Sequence, residues 1–215
     1  MKDIVIAGAG GFGREVKFII DRINAVNPTY NLLGFYDDNT DLPSTINGVP
    51  LLGTTKDLIN YNKTINVVLG VGVPKIKEII VNSLKENKLI TFPVLIDPSS
   101  IIGYDNIHIG GGTVICAGVV VTCDIKIERF VTLNLSCTVG HDTVINEFSS
   151  FMPSVNISGE VNIGKSVYVG TGAKIINQLE IGADTIVGAG AVVAKSLPEK
   201  CTAVGIPAKP IKFHE

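Results

Sequence analysis

One histidine in the middle of the chain has the surroundings of a general base. His141 is followed directly by Asp142, whereas His108 precedes the regular part of the sequence and His214 lies in the C-terminal tail. An imidazole can take a proton from an attacking amine or hydroxyl at neutral pH, and a neighbouring carboxylate fixes its tautomer and raises its basicity. The pair predicts acid–base catalysis, and the alternative is an exposed histidine and acid without a role.

A glycine pattern near the N-terminus predicts a phosphate-binding loop. Gly8, Gly10 and Gly13 follow an apolar stretch and lead into an amphipathic segment, 12–23, while Asp37 comes 24 residues after the last of these glycines. This spacing is typical of nucleotide-binding βα turns, in which a phosphate lies at the N-terminus of the helix. A tight turn without a ligand is the alternative.

A six-residue period predicts the element that carries His141. Every sixth residue from Ile109 to Val193 is aliphatic or aromatic, a spacing that fits neither a helix nor an ordinary strand. It predicts a hexapeptide solenoid with about eighteen residues per triangular coil and roughly 4.8 Å between coils. Glycine often follows the apolar position, as at Gly110 and Gly140, where a corner would need a positive φ or a close backbone approach. A β-sandwich is the alternative, but sandwiches do not keep one register for so long.

The residues before the repeat predict a small α/β domain over 1–95, and the solenoid with its tail is expected over 96–215. Strands alternating with helices indicate a Rossmann-like parallel sheet with helices on both faces. One helix is expected over 74–86, with its buried face formed by Ile76, Ile79, Ile80 and Leu84. The tail after residue 200 is expected to be extended because of its prolines.

Composition excludes several classes of function. The net charge is −2 and the chain has no basic block, so nucleic acid is not an expected partner. No apolar run reaches about 18 residues, so no membrane span is expected, and the first residues do not resemble a signal peptide. The four cysteines lack Cys-x-x-Cys spacing. We expect reduced structural thiols in a cytoplasmic protein, and no metal site.

Taken together, these motifs resemble a known family. The repeat, the Val-Gly-His-Asp segment at 139–142, the Gly-Ile-Pro-Ala-Lys tail at 205–209, the glycine-rich loop at 8–15 and Tyr-Asp-Asp at 36–38 look like the left-handed β-helix acyltransferases. Within them, the chain resembles the branch of bacterial sialic acid O-acetyltransferases and nucleotide-amino-sugar N-acetyltransferases. The resemblance spans essentially the whole chain, and it implies a homotrimer with acetyl-CoA bound between neighbouring prisms.

The resemblance also implies catalytic roles. The general base of the family falls on His141. Many relatives carry Glu where this chain has the shorter Asp142, so a direct contact between the two side chains remains open. Gly159 lies eighteen residues after His141, which places it at the same corner one rung away, roughly 5 Å. Its N–H would point at the thioester carbonyl and stabilise the oxyanion, and a glycine needed only for its turn is the alternative.

Binding positions follow by the same resemblance. The residues expected to contact CoA are Ser150, Thr171, Ala189 and Lys209. The residues expected to contact the substrate are Gly10, Gly11, Phe12, Asp37, Asp38, Gly72 and Asn134. Phe12 stands where some amino-sugar acetyltransferases have His, which favours the broader sialic-acid-type branch.

The sequence therefore predicts an acetyl-CoA-dependent acetyltransferase. Its acceptor is the amino group or hydroxyl of a sugar, expected to be nucleotide-linked, in bacterial surface-glycan biosynthesis, and the acceptor attacks the thioester directly with His141 as base. Three alternatives stay open at this point: a sialic acid O-acetyltransferase, an NAD-dependent oxidoreductase that uses the glycine-rich loop, and a trimeric scaffold without catalysis.

Overall fold

The computed structural model describes residues 1–215, which form two compact units, Met1–Pro98 and Ser99–Glu215. The first unit alternates strands and helices, as predicted. Its elements are β1 (Lys2–Ala7), α1 (Gly11–Val26), β2 (Tyr30–Tyr36), β3 (Thr45–Ile46), β4 (Val49–Gly53), α2 (Thr55–Ile59), β5 (Ile65–Leu69), α3 (Pro74–Leu84), β6 (Ile90–Thr91) and β7 (Leu95–Ile96).

A six-stranded sheet forms the centre of the first unit. Its strand order is β3-β4-β2-β1-β5-β6, and all pairs are parallel except β3 with β4. The central strand β1 is buried from Ile4 to Ala7, and α1 buries Val16, Ile19 and Ile20. Because β2 lies on one side of β1 and β5 on the other, the strand order reverses beside β1. Such a reversal opens a crevice at the carboxyl ends of the two strands.

One predicted helix face is only half correct, since Ile80 and Leu84 are buried but Ile76 and Ile79 are not. Helix α3 buries Lys77, Ile80 and Leu84, whereas Ile76 and Ile79 are exposed by 42% and 56%. The apolar residues of this helix occupy a wider arc than one face can bury, so the sequence pattern alone does not fix which residues turn inward.

The second unit is the predicted solenoid followed by a hairpin. Its strands are β8 (Ile101–Ile102), β9 (Ile107–Ile109), β10 (Val114–Ile115), β11 (Val120–Val121), β12 (Ile125–Ile127), β13 (Thr132–Leu133), β14 (Thr138–Val139), β15 (Val144–Ile145), β16 (Ser150–Phe151), β17 (Asn156–Ile157), β18 (Asn162–Ile163), β19 (Tyr168–Val169), β20 (Lys174–Ile175), β21 (Glu180–Ile181), β22 (Ile186–Val187), β23 (Val192–Val193), β24 (Cys201–Val204) and β25 (Lys209–Phe213).

These strands form the three faces of a prism. The first face contains β10, β13, β16, β19, β22 and β24; the second contains β8, β11, β14, β17, β20 and β23; the third contains β9, β12, β15, β18 and β21. Neighbours on a face are parallel, and between β10 and β23 they pair at an offset of eighteen residues, as in Val121 with Val139. The last pair of the first face, β22 with β24, has an offset of sixteen, as in Val187 with Ala203. The apolar residue at every sixth position points inward, and from Ile115 to Val193 each is at most 3% exposed. This arrangement confirms the prediction of a left-handed β-helix.

The corners of the prism show why glycine often follows the interior residue. The sequence allowed two reasons, a positive φ or a close approach of the backbone. Gly110 and Gly140, directly after an interior residue, are not in the left-handed region. They are close to backbone instead, since a Cβ added to Gly140 would lie 2.7 Å from the nitrogen of Gly159. A positive φ occurs two residues further on, mostly at side-chain-bearing positions such as Asp142 (56°) and Phe148 (63°). Of the two explanations for the repeated glycines, close backbone approach is therefore correct.

The C-terminal tail is extended, but it is also paired. Strands β24 and β25 form an antiparallel hairpin, and β24 continues the first face of the prism beside β22. None of the helices is both long and apolar enough to span a bilayer.

Candidate active site

The corner between the second and third faces presents His141. This residue follows β14, and the interior residues Val139 and Thr143 on either side of it are completely buried. The corner is therefore fixed by the packed interior of the prism. The side chain of His141 projects outward and is 55% exposed, so an incoming substrate can reach it.

Asp142 holds the imidazole directly. The His141 Nδ1 atom lies 2.8 Å from Oδ2 of Asp142, so the shorter aspartate does reach the ring. The backbone of Asp142 has φ 56°, a left-handed conformation that aspartate tolerates better than most residues. When Nδ1 carries the ring proton and donates it to the carboxylate, Nε2 is left as the acceptor. That is the arrangement a general base requires.

Gly159 forms the next rung of the same corner. The N–H of Glu160 donates to the carbonyl oxygen of His141 over 2.8 Å, which stacks the two rungs. A Cβ added to Gly159 would lie 2.5 Å from both Nε2 and Cε1 of His141, so the imidazole covers this glycine. The backbone N–H of Gly159 donates to no acceptor within the chain. The structure thus brings His141, Asp142 and Gly159 together.

The residues expected to line a CoA site lie at a different corner. Thr171 and Ala189 are exposed between the first and second faces, and the N–H of Gly190 donates to the carbonyl oxygen of Thr171 over 2.8 Å. They form the vertical row that a long pantetheine arm needs. Within one chain, the second face separates this row from the corner of His141. Lys209 is exposed at the start of β25.

Two expected binding residues are buried. Ser150 is completely inaccessible and its hydroxyl has no hydrogen-bond partner, so its side chain is not available to CoA in this conformation. Asn134 is 5% exposed and lies between the first and second faces, where its side-chain oxygen accepts a bond from the N–H of Leu135 over 2.7 Å. The structure does not bring Asn134 to the corner of His141.

The glycine-rich loop joins β1 to α1 in the first unit. Gly8 has φ +107°, which favours glycine, and its N–H donates to the carbonyl oxygen of Tyr36. A Cβ on Gly13 would collide with the carbonyl oxygen of Gly8, so this glycine allows α1 to pack closely on the loop. Gly10 and Gly11 face open space instead, at the start of α1, where free N–H groups can donate hydrogen bonds to an anion.

The side chains of two acidic residues after β2 accept hydrogen bonds from backbone N–H groups. Asp37 accepts from the N–H of Ala9 over 2.7 Å and from that of Asn39 over 2.9 Å. Asp38 accepts from the N–H of Thr55 over 2.8 Å. Asp37 therefore fixes the shape of the glycine-rich loop. The role of Ala9 as its anchor has no signal in the sequence, because any residue supplies a backbone N–H.

The loop after β5 completes the crevice beside β1. A Cβ on Gly8 would lie 2.7 Å from Cγ2 of Val71, so the two loops touch. Gly72 follows in the β5 loop and Phe12 lies in the first turn of α1, and both are half-buried. The loops predicted to hold the substrate thus meet at the strand-order reversal. No three His, Cys, Asp or Glu side chains come together in a way that could hold a metal ion.

Comparisons with known proteins identify relatives of this chain. Residues 3–84 match the family described as the PglD N-terminal domain. The GDP-perosamine N-acetyltransferase of Escherichia coli O157:H7 is 32% identical over 173 residues, which cover 79% of this chain and 76% of that protein.

Solved structures extend the similarity to the whole chain. The acetyltransferase domain of PglB from Neisseria gonorrhoeae FA1090 is 30% identical with a TM-score of 0.89, covering 98% of this chain and 100% of that one. A second structure of that domain contains acetyl coenzyme A. PerB from Caulobacter crescentus, in complex with CoA and GDP-perosamine, is 26% identical with a TM-score of 0.83 and covers 99% of this chain and 98% of that one.

Proposed function

The chain belongs to the left-handed β-helix sugar acyltransferases, and on that premise we propose that it transfers the acetyl group of acetyl-CoA to an amino group of a nucleotide-linked sugar, with His141 as the general base. Family membership makes the chain a sugar N- or O-acetyltransferase. The NAD-dependent oxidoreductase and the non-catalytic scaffold are therefore not favoured. Two of the relatives are named as acting on, or are bound to, GDP-perosamine, and the first of them is an N-acetyltransferase, which favours N-acetylation over the sialic acid alternative. The product would then enter the assembly of a bacterial surface glycan.

The observation that carries the proposal is the corner of His141. Asp142 holds Nδ1 at 2.8 Å, which leaves Nε2 to accept a proton. Nε2 lies over Gly159, whose N–H has no acceptor in the chain. A proton acceptor and a free hydrogen-bond donor are thus side by side, and an acyl transfer requires both.

The transfer proceeds by direct attack. The sugar amine forms a bond to the thioester carbonyl carbon while Nε2 of His141 accepts the proton that the amine loses. The carbonyl oxygen becomes an oxyanion, to which the N–H of Gly159 donates a hydrogen bond. Collapse of this intermediate breaks the C–S bond and releases the CoA thiolate, which takes a proton from the imidazolium. No acyl-enzyme is formed, so no nucleophilic side chain is needed.

Binding of CoA requires a second copy of the chain. Thr171 and Ala189 lie at the corner between the first and second faces, whereas His141 lies between the second and third. Packing two prisms side by side would place the first of these corners beside the second corner of the neighbouring copy. This arrangement supports a homotrimer with CoA in each cleft, and Lys209 is free to meet a CoA phosphate.

The glycine-rich loop would hold the nucleotide sugar. Gly10 and Gly11 leave open space at the start of α1, where a diphosphate can meet backbone N–H groups and the positive end of the helix dipole. Gly72 lies on the other wall of the crevice. Asp37 would act by shaping the loop that surrounds the phosphate.

The experiment that tests the proposal measures free thiol release with acetyl-CoA and a panel of acceptors. Nucleotide-linked amino sugars should be acetylated, and free sialic-acid-type sugars should not. His141→Ala should lower kcat by about 10²- to 10⁴-fold, the usual contribution of a general base, while CoA still binds. Cys123→Ala is the matched control, since Cys123 occupies the same corner one rung before His141 and should leave the rate unchanged. Unaltered turnover in His141→Ala would refute the mechanism.

A further inference from the structure

The turn itself does not require a glycine at position 159. Gly159 is the second residue after an interior aliphatic, and the equivalent positions of other coils carry large side chains, including Arg129, Leu135, Glu147 and Lys165. Its φ is not in the left-handed region, unlike that of Gly172 or Gly190. Neither the backbone angle nor the repeat explains the absence of a side chain here.

The imidazole of His141 explains that absence. The three atoms nearest to a Cβ added to Gly159 all belong to the ring of His141, with Cε1 and Nε2 at 2.5 Å and Cδ2 at 2.9 Å. Real Cβ atoms do not approach other heavy atoms so closely. The ring in its observed position and a side chain at residue 159 therefore exclude one another.

Two contacts define the ring position together. On one side of the ring, Oδ2 of Asp142 lies 2.8 Å from Nδ1. On the other side, Nε2 occupies the space that a side chain at residue 159 would fill. A methyl group at residue 159 would force the ring to turn, because the backbone of both rungs is fixed by the bond from Glu160 N–H to the carbonyl oxygen of His141. The turn would move Nε2 or break the contact with Asp142.

We propose that Gly159 is a positioning residue for His141, and that its lack of a Cβ fixes where Nε2 stands. This role is separate from that of its N–H group, which any residue would keep. The steric part of the proposal stands on the geometry alone, and its kinetic consequence rests on the proposed function. A displacement of about 1 Å in a reacting group can lower a rate by about a hundredfold.

Gly159→Ala tests the proposal because it adds only the Cβ and retains the N–H. We expect kcat to fall by about a hundredfold, with KM for both substrates within about twofold of the native values and an unchanged Tm. Ala183→Gly is the matched control, since Ala183 occupies the same position of the repeat at another corner, and its kcat should not change. If Gly159→Ala keeps its kcat within about twofold while His141→Ala loses most of its activity, the proposal is wrong.

A double-mutant cycle shows whether the effect passes through the imidazole. In the His141→Ala background, adding Gly159→Ala should not lower the residual rate further, because no ring remains to be displaced. A further fall by the same factor would mean that the methyl group obstructs the thioester or the oxyanion, and would overturn the positioning role.

The ring itself provides a readout that does not depend on turnover. The side-chain NMR signals of His141 should shift in Gly159→Ala and stay in place in Ala183→Gly. An unshifted ring in Gly159→Ala refutes the proposal even if activity is lost. Conversely, a shifted ring together with a fully active His141→Ala variant would leave the steric role standing and remove the proposed function.

Discussion

The two candidate sites use glycine for opposite reasons. In the loop after β1, Gly13 is needed because backbone meets backbone, as a Cβ there would collide with the carbonyl oxygen of Gly8. At the corner of His141, a Cβ on Gly159 would meet only the far end of a side chain. The first glycine is therefore needed for packing of the fold, whereas we propose that the second is needed for the reaction.

The same contrast separates the polar groups of the two sites. The loop offers a ligand backbone N–H groups, and its carboxylate on Asp37 is used to hold that backbone. The corner offers an imidazole whose carboxylate partner, Asp142, holds a side chain. Substitutions in the loop should therefore damage shape and binding, whereas substitutions at the corner should damage rate and leave the fold intact.

The largest expected effect comes from adding a methyl group to the loop. Gly13→Ala should destabilise the first unit by about 3 kcal/mol or more, because neither the carbonyl of Gly8 nor the helix can move without disturbing the sheet. The free energy of unfolding, measured in urea, reports the loss. Gly10→Ala is the matched control for stability, since nothing lies within 4 Å of its added Cβ.

If Gly13→Ala and Gly10→Ala were equally stable, Gly13 would not be needed for close packing of α1 on the loop. Gly10→Ala should instead weaken binding of the nucleotide sugar, since its methyl group projects into the space in front of α1. Titration of the sugar nucleotide into each folded variant separates binding from folding.

Smaller effects on the kinetics are expected when the aspartate of each site is replaced by asparagine. Asp142→Asn replaces the acceptor of His141 Nδ1 with an amide that can also donate, so the ring loses its fixed tautomer, and kcat should fall about tenfold to a hundredfold. Asp37→Asn leaves only one acceptor oxygen for the N–H groups of Ala9 and Asn39. Its loop should loosen, and KM for the nucleotide sugar should rise about tenfold.

Steady-state kinetics with each substrate varied in turn check this pair. If the two aspartates have the different roles described above, Asp142→Asn should change kcat and Asp37→Asn should change KM. A fall in kcat alone for Asp37→Asn would show that its carboxylate acts on the reaction and not on the loop.

The solenoid was predictable from sequence because its signal is repeated in every coil. A single interior position such as Val139 says little, but the same residue type at each sixth position determines the rungs, the corners and the column that joins His141 to Gly159. The first unit was predictable in class, since its strands and helices alternate. The buried face of α3 was not, because Ile76 and Ile79 are as apolar as the buried Ile80 and Leu84, and because the helix buries a lysine, Lys77, as well.

Contacts that depend on side-chain direction could not be read from the spacing. The reach of Asp142 to the imidazole depends on a left-handed backbone, which the corner imposes two residues after each repeated glycine. Ser150 was expected at a ligand surface, but its position in the repeat does not reveal that it is completely buried. Asp37 was expected to contact substrate, and the sequence does not reveal that both of its oxygens accept hydrogen bonds from the backbone.

The interiors of the two units should respond in opposite directions to alkaline pH. Burial lowers the pKa of Lys77 in α3 well below its usual value, so the neutral amine of the folded state makes the first unit more stable as the pH rises toward 10.5. In the solenoid, burial raises the pKa of the Cys137 thiol from 9.0 to about 11. The unfolded chain ionises this thiol first, so its contribution to stability is present below pH 9 and is lost between pH 9 and 11.

Cys137→Ala isolates that contribution in the solenoid. Between pH 8 and pH 10, the stability advantage of the native chain over the variant should shrink by about 1 kcal/mol, since roughly one pKa unit of difference is realised by pH 10. Urea unfolding at the two pH values measures it. Cys123→Ala is the control, because that thiol is only partly buried and should give no comparable change. A constant difference between native and Cys137→Ala would mean that the thiol ionises as readily in the folded prism as in the unfolded chain, and that its burial does not keep it protonated.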